Sequence, residues 1–146
     1  DYPTRPDLVR AMARLAQEET RHFLAVLNEM ARRGAALLPD RGDPYAQALL
    51  GEVRSGAGRL LDRLLVGALI EARSCERLAL LGEALPPGRL RDLYRRLALA
   101  EGGHETLFLD LARTHGGAGE AERRLDRLAA FEAEILARLP IEARIH

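Results

Sequence analysis

The sequence of 146 residues contains only one cysteine, Cys75, and no tryptophan. A single thiol excludes a disulfide bond within the chain. There is no run of about 18 or more apolar residues, and the first residues do not have the pattern of a signal peptide. We therefore expect a soluble, cytoplasmic protein that does not have a membrane as a partner.

The chain also lacks net charge, because 22 acidic residues balance 22 basic ones. This balance argues against the large positive field of a protein that binds any nucleic acid, although a local basic patch is compatible with it. Lysine is absent, so every basic residue is an arginine. Two explanations stay open: a GC-rich coding sequence, or a use for planar guanidinium groups in contacts with phosphates or bases.

β-Branched residues are sparse, and no stretch alternates apolar and polar positions as a half-buried strand does. The helix-favouring residues alanine, leucine, arginine and glutamate dominate instead. The sequence therefore predicts an all-α fold, and its 47% apolar content predicts a single domain over residues 1–146. Proline and glycine positions predict helices at about 7–33, 45–54, 59–84, 89–114 and 120–138.

Two short motifs match each other: Glu19-Thr20-Arg21-His22 in the first long helix and Glu101-Gly102-Gly103-His104 in the fourth helix. Residues three apart lie on one face of a helix, so each motif presents a carboxylate and an imidazole side by side. Each motif falls in the middle of the apolar stripe of its helix, where a charged side chain needs compensation. Glu71 interrupts the apolar stripe of the third helix in the same way.

These residue types suit a pair of first-row metal ions, which need anionic oxygens for neutralisation and bridging and a few neutral imidazoles. Ferritin-like bundles supply one Glu from each of two helices and a Glu-x-x-His from each of the other two. This chain supplies five of these six ligands in the expected helix order, and the sixth would precede residue 1. The sequence thus predicts a di-iron centre of two iron ions at Glu19, His22, Glu71, Glu101 and His104.

A structural alternative stays open for both motifs. Glu19 and Glu101 would then be solvated charges on helices whose apolar face is rotated away from them. His22 or His104 would be a core histidine bonded to a carbonyl group. Neither motif decides between the two alternatives when it is taken alone.

Glu76 competes with Glu71 as the ligand on the third helix. The phase of the apolar stripe turns Glu71 inward and Glu76 toward the flank, where Glu76 can pair with Arg73 or Arg77. Cys75, one turn after Glu71, is expected to be a small core residue and not a thiolate ligand.

The residues around these positions resemble a known family. The segments LAQEETRHF (15–23) and DRLLVGALIEARSCERL (62–78), the motif Glu101-x-x-His104 and the closing Arg144-Ile145-His146 carry the resemblance. They are similar to the bacterial tRNA 2-methylthio-N6-isopentenyladenosine hydroxylases, which are ferritin-like di-iron tRNA-modifying monooxygenases. IEARSCER is the most specific part, and the resemblance covers essentially the whole chain.

The resemblance implies a ferritin-like helical bundle with its di-iron ligands at the five positions named above. It implies O2 as a co-substrate, an external electron donor, and hydroxylation of the isopentenyl group of a modified adenosine in the anticodon loop of tRNA. The family has an earlier helix with one more ligand Glu, so we expect this sequence to lack the family's first helix. Gly102 and Gly103 depart from the bulkier residues expected between Glu and His.

Four arginines are predicted to bind this RNA substrate: Arg73, Arg77, Arg95 and Arg96. Ordinary solvated ion pairs are the alternative for these four side chains. Two other functions stay open for the chain, namely a ferritin-like di-iron oxidase or iron-binding protein that does not act on tRNA, and a non-catalytic helical bundle. The sequence does not indicate an oligomeric state.

Overall fold

The computed structural model describes residues 2–39 and 42–140, so Asp1 and the family-like ending Arg144-Ile145-His146 lie outside the described residues. The described part is helical and contains no strand. Its helices are α1 (Pro6–Arg32), α2 (Pro44–Gly51), α3 (Arg59–Ala84), α4 (Arg89–Gly116) and α5 (Ala118–Arg138), with a short 3-10 turn at Gly56–Gly58. None of the helices within these two ranges combines the length and apolar character that crossing a membrane requires.

The chain divides into two compact units, Asp1–Asp40 and Arg41–His146. The first unit consists of α1, which has Pro6 in its first turn and ends just before Gly34, whose φ of 67° favours glycine. Glu29 is buried on α1 and accepts hydrogen bonds from Arg33 at 2.9 Å and Arg32 at 3.3 Å. The prediction of a single domain stays a prediction.

The second unit begins with α2, whose first turn is capped by the Asp43 side chain at 2.9 Å from the Tyr45 nitrogen. The sequence predicted this helix to about residue 54, but it ends at Gly51. The reason is a competing partner: the backbone N–H of Arg54 donates to the Asp62 carboxylate at 2.9 Å and leaves the helical path.

Helices α3 and α4 run antiparallel and approach closely where one of them carries glycine. A Cβ added at Gly67 would lie 3.0 Å from the Phe108 ring, and one at Gly116 would lie 2.7 Å from a Leu61 methyl group. One added at Gly102 would lie 3.5 Å from the Cys75 sulfur. Residue numbers fall along α4 as they rise along α3, so these contacts fix the register of the pair.

Helix α5 packs on α3 through two ion pairs, one buried and one partly buried, and each helix supplies the cation of one pair and the anion of the other. The Arg124 Nε of α5 donates to Asp62 of α3 at 3.0 Å. Further along, Arg73 of α3 donates to Glu132 of α5 through Nη2 at 3.1 Å. Residue numbers rise together along both helices, so α3 and α5 run in the same direction.

Candidate metal centre

The first Glu-x-x-His motif lies on α1. The His22 Nδ1 is 3.3 Å from the Glu19 Oε1, and the side chains are 22% and 45% exposed respectively. Thr20, between them, turns to the exposed side and donates to the Ala16 carbonyl oxygen at 2.7 Å. The motif therefore places its carboxylate and its imidazole side by side on one face of α1, as the spacing predicts.

The second motif lies on α4 and is more deeply buried. The His104 Nδ1 is 3.0 Å from the Glu101 Oε2, and the two residues are only 4% and 7% exposed. A carboxylate at this depth is costly unless hydrogen bonds or a cation offset the lost solvation. The helix continues without a bulge through Gly102 and Gly103, and a Cβ at Gly103 would meet nothing within 4 Å.

The donor atoms of these motifs fit a first-row transition metal, because carboxylate oxygen and imidazole nitrogen are ligands that iron accepts. Among the described residues, four of the five predicted ligands qualify as possible metal ligands, namely Glu19, His22, Glu101 and His104. Glu71 is not among these four. The residues present thus fit the predicted cofactor, and the assignment of all five ligands stays a prediction.

Glu71 is half-buried on α3, one turn from both Gly67 and Cys75, which face α4. Cys75 lies opposite Gly102, so Glu71 is within about one turn of the level of Glu101 on the neighbouring helix. Burial raises the pKa of the Cys75 thiol, and the charges of Glu105 and Glu101 raise it further.

Glu76, the competitor of Glu71, is exposed and pairs with Arg73, as predicted for a flanking residue. Arg73 also donates to Glu132 from Nε at 3.2 Å, so its guanidinium is engaged within the protein. Arg77 is half-buried, whereas Arg95 and Arg96 are exposed.

Arg95 and Arg96 make no ion pair within the described part of the chain. The stem of Arg95 packs over Gly82, where an added Cβ would lie 2.9 Å from its Cγ. Binding of RNA by the four predicted arginines stays a prediction.

Sequence reasoning missed four buried polar residues of the second unit: Tyr45, Asp62, Arg124 and Glu132. For Asp62, Arg124 and Glu132 the signal is a charged residue at a position where helical periodicity expects an apolar one. Arg124 and Glu132 are eight residues apart on the same face of α5 as Leu128, and Asp62 and Arg73 are eleven apart on α3. The opposite signs on the two helices could have suggested the pairing.

Comparison with known proteins places the chain in one family. The model of the tRNA-(MS2IO6A)-hydroxylase family, MiaE, matches residues 1–146. A tRNA 2-(methylsulfanyl)-N(6)-isopentenyladenosine(37) hydroxylase of Pseudomonas putida is 39% identical over 146 residues, which are 99% of this chain and 71% of that protein. The protein of the same name from Salmonella typhimurium is 33% identical over 147 residues, which are 100% of this chain and 54% of that protein.

A solved structure agrees with this result. It is described as protein 43 with aldehyde deformylating oxygenase activity from Synechococcus, and it matches this chain with 37% sequence identity and a TM-score of 0.89. The match covers 99% of this chain and 71% of that one. This likeness confirms the predicted all-α, ferritin-like fold, and the family match confirms the resemblance seen in the sequence. The chain belongs to the tRNA-(MS2IO6A)-hydroxylase family, MiaE.

Proposed function

We propose that this chain is an O2-dependent di-iron monooxygenase that hydroxylates the isopentenyl group of a 2-methylthio-N6-isopentenyladenosine in tRNA. Membership of the family makes it a tRNA hydroxylase, and hence an oxidoreductase. The observation that carries the metal-dependent part of the proposal is the buried Glu101 and His104 pair, with 3.0 Å between Oε2 and Nδ1. Such a pair within an apolar helix face is best explained by a bound cation.

Five side chains would hold the two iron ions: Glu19, His22, Glu71, Glu101 and His104. When bound, the iron ions supply the redox chemistry with O2 that the protein side chains cannot perform. The net reaction inserts one oxygen atom into a C–H bond and reduces the other to water, so it consumes two electrons and two protons. An external electron donor provides those electrons, since Cys75 is the chain's only thiol and cannot form an internal disulfide.

The side chains around Glu101 and His104 on α4 would contribute to this reaction in two ways. Leu97 and Leu111 are buried on the same face of α4, and such apolar neighbours exclude water from the reacting centre. Glu101 and His104 orient each other through their 3.0 Å contact, which limits the rotamers that either can adopt. Exclusion of water and fixed ligand orientation both favour hydroxylation of the substrate over loss of the oxidant.

For the RNA, we propose phosphate contacts in the anticodon loop by the predicted arginines, with Arg95 and Arg96 as the main contributors. Both are exposed on α4 and make no ion pair among the described residues. Unpaired guanidinium groups lose less when they bind a phosphate than groups that must first leave a carboxylate. A tRNA substrate also supports the predicted cytoplasmic location.

The proposed function predicts hydroxylated nucleoside when the chain is incubated with iron, a reductant, O2 and isopentenylated tRNA. Nucleoside digestion followed by mass spectrometry detects the gain of one oxygen atom, and elemental analysis gives the iron content. The likeness to a protein named for aldehyde deformylating oxygenase activity favours one alternative, an oxidase that does not act on tRNA. Consumption of O2 with bound iron but unmodified tRNA would establish that alternative and contradict the proposal.

The double substitution Arg95→Ala and Arg96→Ala is expected to weaken tRNA binding about tenfold at physiological salt. Each lost phosphate contact should also lower the slope of log K against log salt by about 1. Fluorescence anisotropy at several salt concentrations measures both effects. Arg123→Ala with Arg138→Ala is the matched control, because these exposed arginines pair with Glu120 and Glu134. An equal loss in both double variants would mean that only overall charge matters.

A further inference from the structure

Helix α3 has two functional faces that point in nearly opposite directions. Glu71 lies on the face that packs against α4, together with Gly67 and Cys75. Arg73 comes two residues after Glu71, and two residues correspond to a rotation of about 200° around a helix. Any contact that holds Arg73 therefore also sets the direction in which Glu71 points.

Arg73 is held by a largely buried chain of hydrogen bonds that joins three helices. Its Nε and Nη2 donate to the Glu132 Oε1 of α5 at 3.2 and 3.1 Å. The Tyr45 hydroxyl of α2 donates to the same oxygen at 2.6 Å and lies 3.4 Å from the Leu69 carbonyl oxygen. Tyr45 is fully buried and Glu132 is 7% exposed, so water cannot easily replace any of these bonds.

The charged residues around this chain of bonds disfavour any other orientation of α3 against α5. Asp62 precedes Arg73 by eleven residues, about three helical turns, and therefore lies on the same face of α3. It binds Arg124, while Arg73 binds Glu132. A reversed pairing of the two helices would place Asp62 near Glu132 and Arg73 near Arg124, and like charges at buried positions are strongly unfavourable.

We infer that Tyr45, Glu132 and Arg73 form a positioning network that fixes the rotation of α3 and so aims Glu71 and Cys75 at α4. Arg73 is then a positioning residue, whose effect on the site passes through the α3 backbone. The catalytic consequence for Glu71 rests on the proposed function, whereas the rotation of α3 does not. Glu76 completes the network at the surface, because it holds the remaining side of the Arg73 guanidinium.

The chain contains its own reporter for this rotation. Cys75 is the only cysteine, and its sulfur would lie 3.5 Å from a Cβ added at Gly102, on the same face of α3 as Glu71. If α3 turned, the thiol would leave this contact and become more accessible to an alkylating reagent. The rate of reaction of Cys75 with iodoacetamide in the metal-free chain therefore reports the rotation without any dependence on activity.

The expected result is that Glu132→Gln and Tyr45→Phe alkylate at Cys75 at least about fivefold faster than the wild type in native buffer. Both variants keep the shape of the side chain, and Arg73→Met serves as a third variant that removes both guanidinium bonds to Glu132. The control is Arg54→Met. It removes the side-chain hydrogen bonds from Arg54 to Asp62 but leaves the bond from Arg124 to Asp62, so the contact between α3 and α5 remains. Its native-state rate should stay within about twofold of the wild type.

Rates measured at several low urea concentrations separate local rotation from global unfolding, because only the latter rises with urea. Wild-type rates in all three network variants would overturn the inference. The inference would also be overturned if Arg54→Met, compared at equal stability, raised the alkylation rate of Cys75 as much as the three network variants do. The increase would then result from loss of stability alone.

In a second experiment, each protein is titrated with Co²⁺, and the visible absorption of the bound ion is followed. Glu132→Gln is expected to bind Co²⁺ at least tenfold more weakly than the wild type and with an altered band shape, while Arg54→Met keeps both. A wild type that binds no Co²⁺ would contradict the proposed metal centre and leave the alkylation result to decide the rotation. A wild type and a Glu132→Gln variant that bind equally well would overturn the positioning role alone.

Discussion

Replacing Asp62 with alanine is expected to lower the free energy of unfolding by roughly 3–5 kcal/mol, a large part of the total stability of a small domain. Asp62 is fully buried and accepts hydrogen bonds from the Arg54 guanidinium at 2.7 Å and from the Arg124 Nε at 3.0 Å. Without the carboxylate, two guanidinium groups would remain close together with no anion between them. Urea unfolding followed by circular dichroism measures the loss.

The acid titration of stability checks the same ion pairs. Burial would raise the pKa of Asp62, but the hydrogen bonds from Arg54 and Arg124 outweigh it and lower the pKa from 3.8 to about 2. A group with a lowered folded-state pKa stabilises the fold above its unfolded-state pKa and loses that effect as pH falls. Between about pH 4 and pH 2 the wild type should therefore lose roughly 2 kcal/mol that Asp62→Asn does not lose.

Two comparisons make the Asp62 prediction specific. Asp110→Ala on α4 removes an exposed carboxylate paired with Arg113 at 3.4 Å and should cost less than about 1 kcal/mol. Replacing Asp62, Arg54 and Arg124 together with apolar residues should recover most of the stability, because no buried charge is then left without a partner. A triple variant as unstable as Asp62→Ala would contradict this account of the destabilisation.

Replacing Glu101 with alanine is expected to reduce metal affinity by more than about 100-fold and to abolish hydroxylation of tRNA. Loss of an outer partner of a metal ligand already costs about 10–100-fold, and a direct ligand should cost more. Glu101 also holds His104 at 3.0 Å, so the imidazole would lose its orientation together with the carboxylate. Co²⁺ titration and mass spectrometry of tRNA nucleosides measure the two effects.

Glu83→Ala provides the matched control for Glu101→Ala, because Glu83 is an exposed glutamate near the end of α3. It should bind metal and hydroxylate tRNA as the wild type does. If Glu101→Ala retained both properties with an unchanged circular dichroism spectrum, Glu101 would be a buried structural carboxylate. The structural alternative for the second motif would then be correct.

The helices and the contact between Glu101 and His104 on α4 could be predicted from the sequence, because both depend on residues that are close together along the chain. The positions of proline and glycine predicted that α3 spans residues 59–84, and the structure has the same bounds. A spacing of three residues was enough to place Glu101 and His104 side by side. Neither prediction needed knowledge of which helices become neighbours.

The buried ion pairs could not be predicted in this way, because each one joins residues that are distant in the sequence. Asp62 and Arg124 are 62 positions apart, and Tyr45 and Glu132 are 87 positions apart. Periodicity shows that a charged residue falls on an apolar face but does not identify its partner, which depends on helix order and register. The same limit applies to Arg73, because its sequence position does not indicate its partner Glu132, which is 59 positions further along the chain.

The two consecutive glycines within the second motif have a mechanical consequence. Packing does not require them: an added Cβ would make an ordinary contact at Gly102 and would meet nothing within 4 Å at Gly103. Each nevertheless costs about 1 kcal/mol of helix stability relative to alanine. The turn that separates the carboxylate from the imidazole is consequently less stable as a helix than the same turn built from alanine would be. A metal ion held by the proposed ligands would therefore meet a carboxylate and an imidazole whose separation can adjust by small amounts.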